Sequence, residues 1–157
     1  MINFQRIHTI GATPDAVWAV LGRFMHIDEF APLIESVEAL TEGQDGTGSK
    51  RRNHFADGTS LVEEVMDWEA NHRYRVRLSE MATMPLHEAH AEISVEAMDD
   101  KHSTVRWTFE YRVKYGLFGR LLGQTLMKMM MGRILDANLK GLADKVESNQ
   151  AITAHTT

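Results

Sequence analysis

The chain has 157 residues, 43% hydrophobic and 25% charged, with a net charge of −5 and no cysteine. A domain of that length buries about 68–70% of its unfolded surface, room enough for a core and a cavity. The acidic balance lacks the basic footprint of a nucleic-acid binder. Without cysteine neither disulfides nor thiolate metal sites can form, which fits a cytoplasmic protein. Arg6 and His8 interrupt what would be the apolar region of an export signal. No run reaches the roughly 20 apolar residues of a membrane span.

The stretch INFQRIHTI, residues 2–10, alternates well enough to predict a first strand. Thr13 then caps a helix, with Pro14 at its first position and Asp15 at the positive end of its dipole. Val17, Val20, Leu21 and Phe24 follow at helical spacing, with Trp18 beside them. A second short helix is expected around Asp28 to Leu33, stopped near Pro32. From Glu35 to Lys114 the pattern becomes strands, punctuated by turns at EGQDGTG, ADG (Ala56 to Gly58), DWEANHR and MDDKHS. About six strands joined by short turns make an antiparallel sheet. Leu117 to Glu147 reads as one long helical stretch. Residues 1–147 are expected to form a single domain, and the small polar residues 148–157 a disordered tail.

The late strands have two distinct faces. Tyr74, Val76 and Leu78 point one way, and Arg73, Arg75 and Arg77 the other. By the same parity His87, Ala89, Ala91, Ile93 and Val95 oppose Glu88, His90, Glu92 and Glu96. Val105, Trp107, Phe109, Tyr111 and Val113 continue the apolar face. The arginine and glutamate rows read as solvated surface that pairs across strands. The apolar face must be covered, and only the C-terminal helix is large enough to cover it.

This order of elements resembles the START-related helix-grip superfamily, in its polyketide cyclase/dehydrase and lipid-transfer-like branch. The pieces that carry the resemblance are TPDAVWAVLGRF, FAPLIESVEAL, GTGSKRRNHFADGTSLVEEVMDWEANHRYRV, MPLHEAHAEISV, STVRWTFEYRV and LKGLADKVE. The resemblance implies an α+β fold: a curved antiparallel sheet of about seven strands, two short helices after strand 1, and a long C-terminal helix over the concave face. It also implies a hydrophobic cavity between sheet and helix. Where such proteins usually carry a tryptophan before the proline of the second helix, this chain has Phe30-Ala31-Pro32, which reshapes one wall.

The stretch LMKMMMG, Leu126 to Gly132, holds four methionines in seven residues. On a helical wheel Phe118, Leu122, Leu126, Met129 and Met130 share one side. Further on, the apolar stripe is Met127, Met131, Ile134, Leu135, Asn138 and Leu142. The two stripes disagree by about 150° on one straight helix. A kink or break near Met131 and Gly132 would let both face the sheet; otherwise the first half turns outward, toward a partner or a membrane. The tract is apolar all round and so is expected to be largely enclosed. Methionine is unbranched and polarizable, and suits either irregular core or a wall that meets a variable apolar guest. Ala89 and Ala91 opposite leave space for such a guest.

Chemical motifs are sparse. HEAH, His87 to His90, is one residue short of a metalloprotease HExxH and lies in a strand, so its two histidines face opposite ways and no metal site is assigned. GLFGRLLG lacks the GxGxxG spacing, and no nucleophile–base pair or cofactor fingerprint appears. His87 alone falls on the cavity side by parity. Of the adjacent Glu63 and Glu64 only one can face inward, and the resemblance favours Glu63. It would bind a ligand hydroxyl, act as a general base, or pair with an arginine at the rim. The expected ligand-binding set is Phe30, Glu63, Tyr74, Val76, His87, Ala89, Trp107, Phe109, Tyr111, Met127, Met130 and Met131. The first functional expectation is binding or transport of a hydrophobic small molecule: a lipid, isoprenoid, polyketide or aromatic. The second is a cyclase- or dehydratase-like enzyme in which Glu63, His87 or Tyr111 moves a proton. The third is a module whose segment Gly116 to Gln124 docks a partner or membrane.

Overall fold

Local sequence decides where the first elements begin and end. The computed structural model describes residues 1–81, 84–114, 116, 121 and 123–156. Strand β1 spans Ile2–Ile10 and helix α1 Pro14–Leu21. Thr13 caps α1, its Oγ1 accepting from the Ala16 N–H at 3.4 Å, and Val17, Val20 and Leu21 are buried. The second helical segment is a 3₁₀ turn at Phe24–Glu29, earlier than the expected Asp28 to Leu33. The apolar residues sit there: Phe24, Met25 and Ile27 are buried, and Ala31 precedes a proline that disfavours helix.

Six strands follow: β2 Ile34–Ala39, β3 Lys50–Phe55, β4 Ser60–Glu69, β5 Arg73–Ser79, β6 Leu86–Ala97 and β7 Ser103–Val113. With β1 they form one antiparallel sheet in the order β1-β7-β6-β5-β4-β3-β2. The turn at Ala56 to Gly58 sets the β3–β4 register, pairing Arg51 with Glu63 and Asn53 with Leu61. Register shifts after Val65 in β4 and after Leu86 in β6 leave Met66 and His87 without a cross-strand partner. Such bulges bend a strand and increase its twist, and here they help curve the sheet.

The convex face carries the expected charge rows. Arg77 pairs with Glu64 at 2.6 Å, Arg75 with Glu110 at 3.0 Å, Arg73 with Glu92 at 3.5 Å and Arg112 with Glu88 at 3.1 Å. The concave face is apolar and is closed by helix α2, Lys128–Thr156. Met131, Leu135, Leu139, Leu142 and Val146 recur at spacings of three and four and are all buried. Each fully buried leucine of this stripe contributes about 1.5–3 kcal/mol. Arg6 and His8 on β1 each reach Asp136 of α2 at 3.3 Å.

Three expectations about the helix are corrected. No break occurs at Gly132: α2 is continuous from Lys128, and the irregularity lies earlier, in a π-helical turn at Gly123–Met127. A π turn fits an extra residue into the helix and so shifts the phase of every later side chain. Gly132 and Gly141 serve close packing instead. A Cβ on Gly132 would collide with the Arg6 guanidinium, and one on Gly141 with the carbonyl of Phe30. The methionine tract is not enclosed all round: Met127 and Met131 are buried, while Met129 is 50% and Met130 47% exposed. Finally, α2 continues to Thr156 where an irregular tail was expected, because no proline or glycine follows Gly141 to stop it. Phe118 and Leu122, which carried the opposing stripe, lie outside the described residues.

Candidate ligand-binding site

Between the concave face and α2 the side chains leave a cavity of about 370 Å³. Its sheet wall is made by Trp107 and Phe109 of β7, Ala91 of β6, Leu78 of β5, Leu61 and Glu63 of β4 and Asn53 of β3. Met131, Ile134, Leu135 and Asn138 of α2 form the opposite wall. Ile27, Leu33, Ile34 and Met84, with Phe55, Ala56, Asp57 and Thr59 around the β3–β4 turn, complete it. Leu33 is 48% exposed and Ala56 and Asp57 are exposed, so this end is the mouth. Ala91, small among the large residues of the sheet wall, leaves part of this space open.

Four expected residues line the cavity: Glu63, Trp107, Phe109 and Met131. Phe30, Tyr74, Val76, Ala89, Tyr111 and Met127 are buried but belong to the packing around it. Tyr74 stacks on Trp68 at 5.3 Å and meets Phe24 edge-on at 5.7 Å, so the sheet is packed solid there. Tyr111 packs against Phe109 at 5.5 Å and faces a separate, more polar recess beside Ile2 and Lys128. Two expected residues are misplaced. His87 is exposed, because it is the extra residue of the β6 bulge and the parity count breaks there. Met130 is 47% exposed because the buried stripe runs from Met127, the last residue of the π turn, to Met131 of α2.

Glu63 pairs with an arginine, one of the three roles expected of it, but the pair is buried rather than at the rim and its partner, Arg51, was not among the expected residues. Arg51 is 1% exposed and Glu63 8%. Arg51 Nε donates to Glu63 Oε2 at 2.7 Å and Nη2 donates to the same oxygen. Its Nη1 donates to the Phe24 carbonyl, and its guanidinium lies 3.8 Å over the Phe24 ring. The Arg51 charge is therefore spent within the protein. The signal was present in the sequence: a tight turn at Ala56 to Gly58 dictates that Arg51 faces Glu63. It was hidden because KRRNHF reads as a charged surface strand. Burial, the largest effect, pushes the Tyr74 hydroxyl above its ordinary value of 10.0; Arg51 opposes this and Glu63 adds to it. At the mouth, Asp57 accepts from the Thr59 hydroxyl at 2.6 Å and its amide at 2.9 Å, which holds its carboxyl below the usual range.

The arrangement needed for proton transfer is not assembled among the described residues. His87 is outside, Tyr111 is not on the cavity wall, and Glu63 is held by Arg51. Nor do three histidine, aspartate or glutamate side chains gather as metal ligands among the described residues.

Residues 1–147 match the family model for polyketide cyclase/dehydrase and lipid transport proteins. The chain belongs to that family. No curated protein matches the chain significantly. Solved structures share the helix-grip fold. The Zhui aromatase/cyclase from a Streptomyces species is 19% identical, with a TM-score of 0.76 over 93% of both chains. The protein XoxI from Bacillus cereus is 20% identical, with a TM-score of 0.77 over 96% of this chain and 99% of its own. Norcoclaurine synthase from Thalictrum flavum, solved with dopamine and hydroxybenzaldehyde, is 17% identical, with a TM-score of 0.73 over 94% of this chain and 87% of its own. At these identities the likeness concerns fold. The family assignment agrees with the resemblance read from the sequence, down to the curved seven-stranded sheet and its closing helix. No helix among the described residues is long and apolar enough to cross a membrane.

Proposed function

We propose that this protein binds a hydrophobic small molecule between its sheet and α2 and carries it through the cytoplasm. The observation that supports this reading is the cavity itself. Its volume of about 370 Å³ falls within the roughly 300–1,000 Å³ of small-molecule sites. Its wall is mainly aliphatic and aromatic, with a few polar groups among them, so affinity would come from apolar burial and orientation from those groups. The family's description includes lipid transport, and one structural neighbour is known with two small aromatic molecules bound.

A thermal-shift screen with lipids, isoprenoids, polyketides and aromatics, followed by native mass spectrometry, tests the reading. A ligand at a hundredfold above its Kd adds about 2.7 kcal/mol of stability, which raises Tm by on the order of 5–10 °C for a chain of this size. No shift and no retained mass across the whole panel overturns it. The cyclase-like alternative now leans on Glu63 alone, and the docking alternative on a segment of which 117–120 and 122 lie outside the described residues.

A further inference from the structure

The charged groups on the cavity wall are of one sign. Glu63 and Asp57 line the cavity, and no lysine, arginine or histidine does so among the described residues. The nearest cation, Arg51, stands behind Glu63 with Nε and Nη2 committed to that carboxylate and Nη1 to the Phe24 carbonyl. An anionic guest would therefore leave water without meeting a counter-charge, an uncompensated burial that costs several kcal/mol.

The same wall offers hydrogen-bond acceptors. Both Arg51 bonds go to Glu63 Oε2, and no donor from the described residues reaches Oε1. The Glu63 side chain keeps 11% of its surface accessible and lines the cavity. Asn53, two residues along β3 from Arg51 on the same face, is 1% exposed and also lines the cavity. Its Oδ1 is buried and has no hydrogen-bond partner among the described residues. A buried polar atom left in that state costs about 1–3 kcal/mol. A hydrogen-bond donor on a guest would relieve that cost. Asn138, across the space on α2, adds a second amide.

Arg51 already neutralises Glu63, so a cationic guest gains little net attraction at this depth. We propose that the cavity selects uncharged apolar guests bearing a hydroxyl, phenol or alcohol, which donates to the Glu63–Asn53 edge, and discriminates against carboxylates such as fatty acids. This deepens the binding function proposed above and rests on it.

Three matched probes separate the two ideas: 4-butylphenol, 4-butylbenzoate and butylbenzene, each titrated at pH 7.5 by displacement of a neutral fluorescent probe. They share one apolar body and differ only at its end. The phenol is expected to bind about tenfold tighter than butylbenzene and tighter still than the benzoate. Asn53→Leu, of similar volume, should lower the ratio of phenol to butylbenzene affinity about tenfold. Equal binding of all three probes leaves the apolar cavity standing and overturns the selectivity, as does a benzoate that matches the phenol. An Asn53→Leu variant that keeps the parent's ratio of phenol to butylbenzene affinity also overturns it. Binding of none overturns the cavity function and the selectivity together. Should Asn53→Leu fail to fold, the three-probe comparison on the parent protein still decides.

Discussion

Glu63 and Glu64 are neighbours on β4, yet they live on different faces of the sheet. Glu63 points to the concave side, 8% exposed, against an arginine that is 1% exposed. Glu64 points to the convex side, where Arg77 meets it at 2.6 Å and Lys50 at 3.8 Å in a solvated row. Both are glutamate–arginine pairs. The difference lies in what surrounds them. In water an ion pair gains little, because the solvent screens it and offers each partner an alternative. Inside, each ion has lost its hydration and depends wholly on its partner. The concave face thus concentrates the energetic stakes and the candidate chemistry, and the convex face mainly keeps the sheet in solution.

That contrast breaks most sharply by removing one partner on each side. Arg51→Ala strands the Glu63 carboxylate and is expected to destabilise the fold by about 3–5 kcal/mol in urea titration. An effect below 1 kcal/mol would mean that water reaches the pair. Glycines on α2 give the next test. Gly141→Ala forces the helix off the Phe30 carbonyl and should cost about 1–3 kcal/mol. Gly132→Ala displaces only the mobile end of Arg6 and gains helix propensity, so it should be neutral or stabilising by up to about 1 kcal/mol. Equal losses at both positions would contradict the packing described. Glu64→Gln is expected to change stability by less than about 1 kcal/mol, with the difference shrinking as salt is added.

A titration sharpens the same comparison. Burial raises the Tyr74 pKa above 10.0 in the folded state. As pH rises past that ordinary value the unfolded chain releases the proton first. The stabilisation is therefore complete below about pH 10 and is lost as pH climbs through the folded-state value. The Tyr74 hydroxyl is also buried without a hydrogen-bond partner among the described residues. Tyr74→Phe should remove its share of the alkaline loss and hold or slightly raise stability at neutral pH, as measured by urea midpoints at pH 7 and pH 10.5.

Most of the fold was legible because its signals are local. Alternation marked β5, β6 and β7, Thr13-Pro14-Asp15 marked the start of α1, and glycine-containing turns marked the strand ends. The site was legible where parity ran unbroken, at Trp107 and Phe109, and at Glu63, where parity left two candidates and the family resemblance chose between them. It failed at His87 because one extra residue in β6 reverses parity, and nothing in LHEAH announces a bulge. It failed at Met130 because a tract that is apolar all round has no phase of its own, and the π turn sets the phase from a distance. Arg51 and Asn53 were missed because composition marks KRRNHF as surface, whereas register makes it wall.

Methionine methyl groups report directly on a guest between sheet and helix, since the ten methionines include both cavity-lining and exposed ones. With ¹³C-methyl methionine, NMR spectra are taken as a neutral apolar ligand such as 4-butylphenol is added. Met131 and Met84 line the cavity, while Met129, Met130, Met66 and Met98 are exposed. The account predicts saturable shifts at Met131 and Met84 with the exposed methyls unmoved. Shifts confined to Met129 and Met130, or no saturable shift at all, would contradict a guest held between sheet and helix.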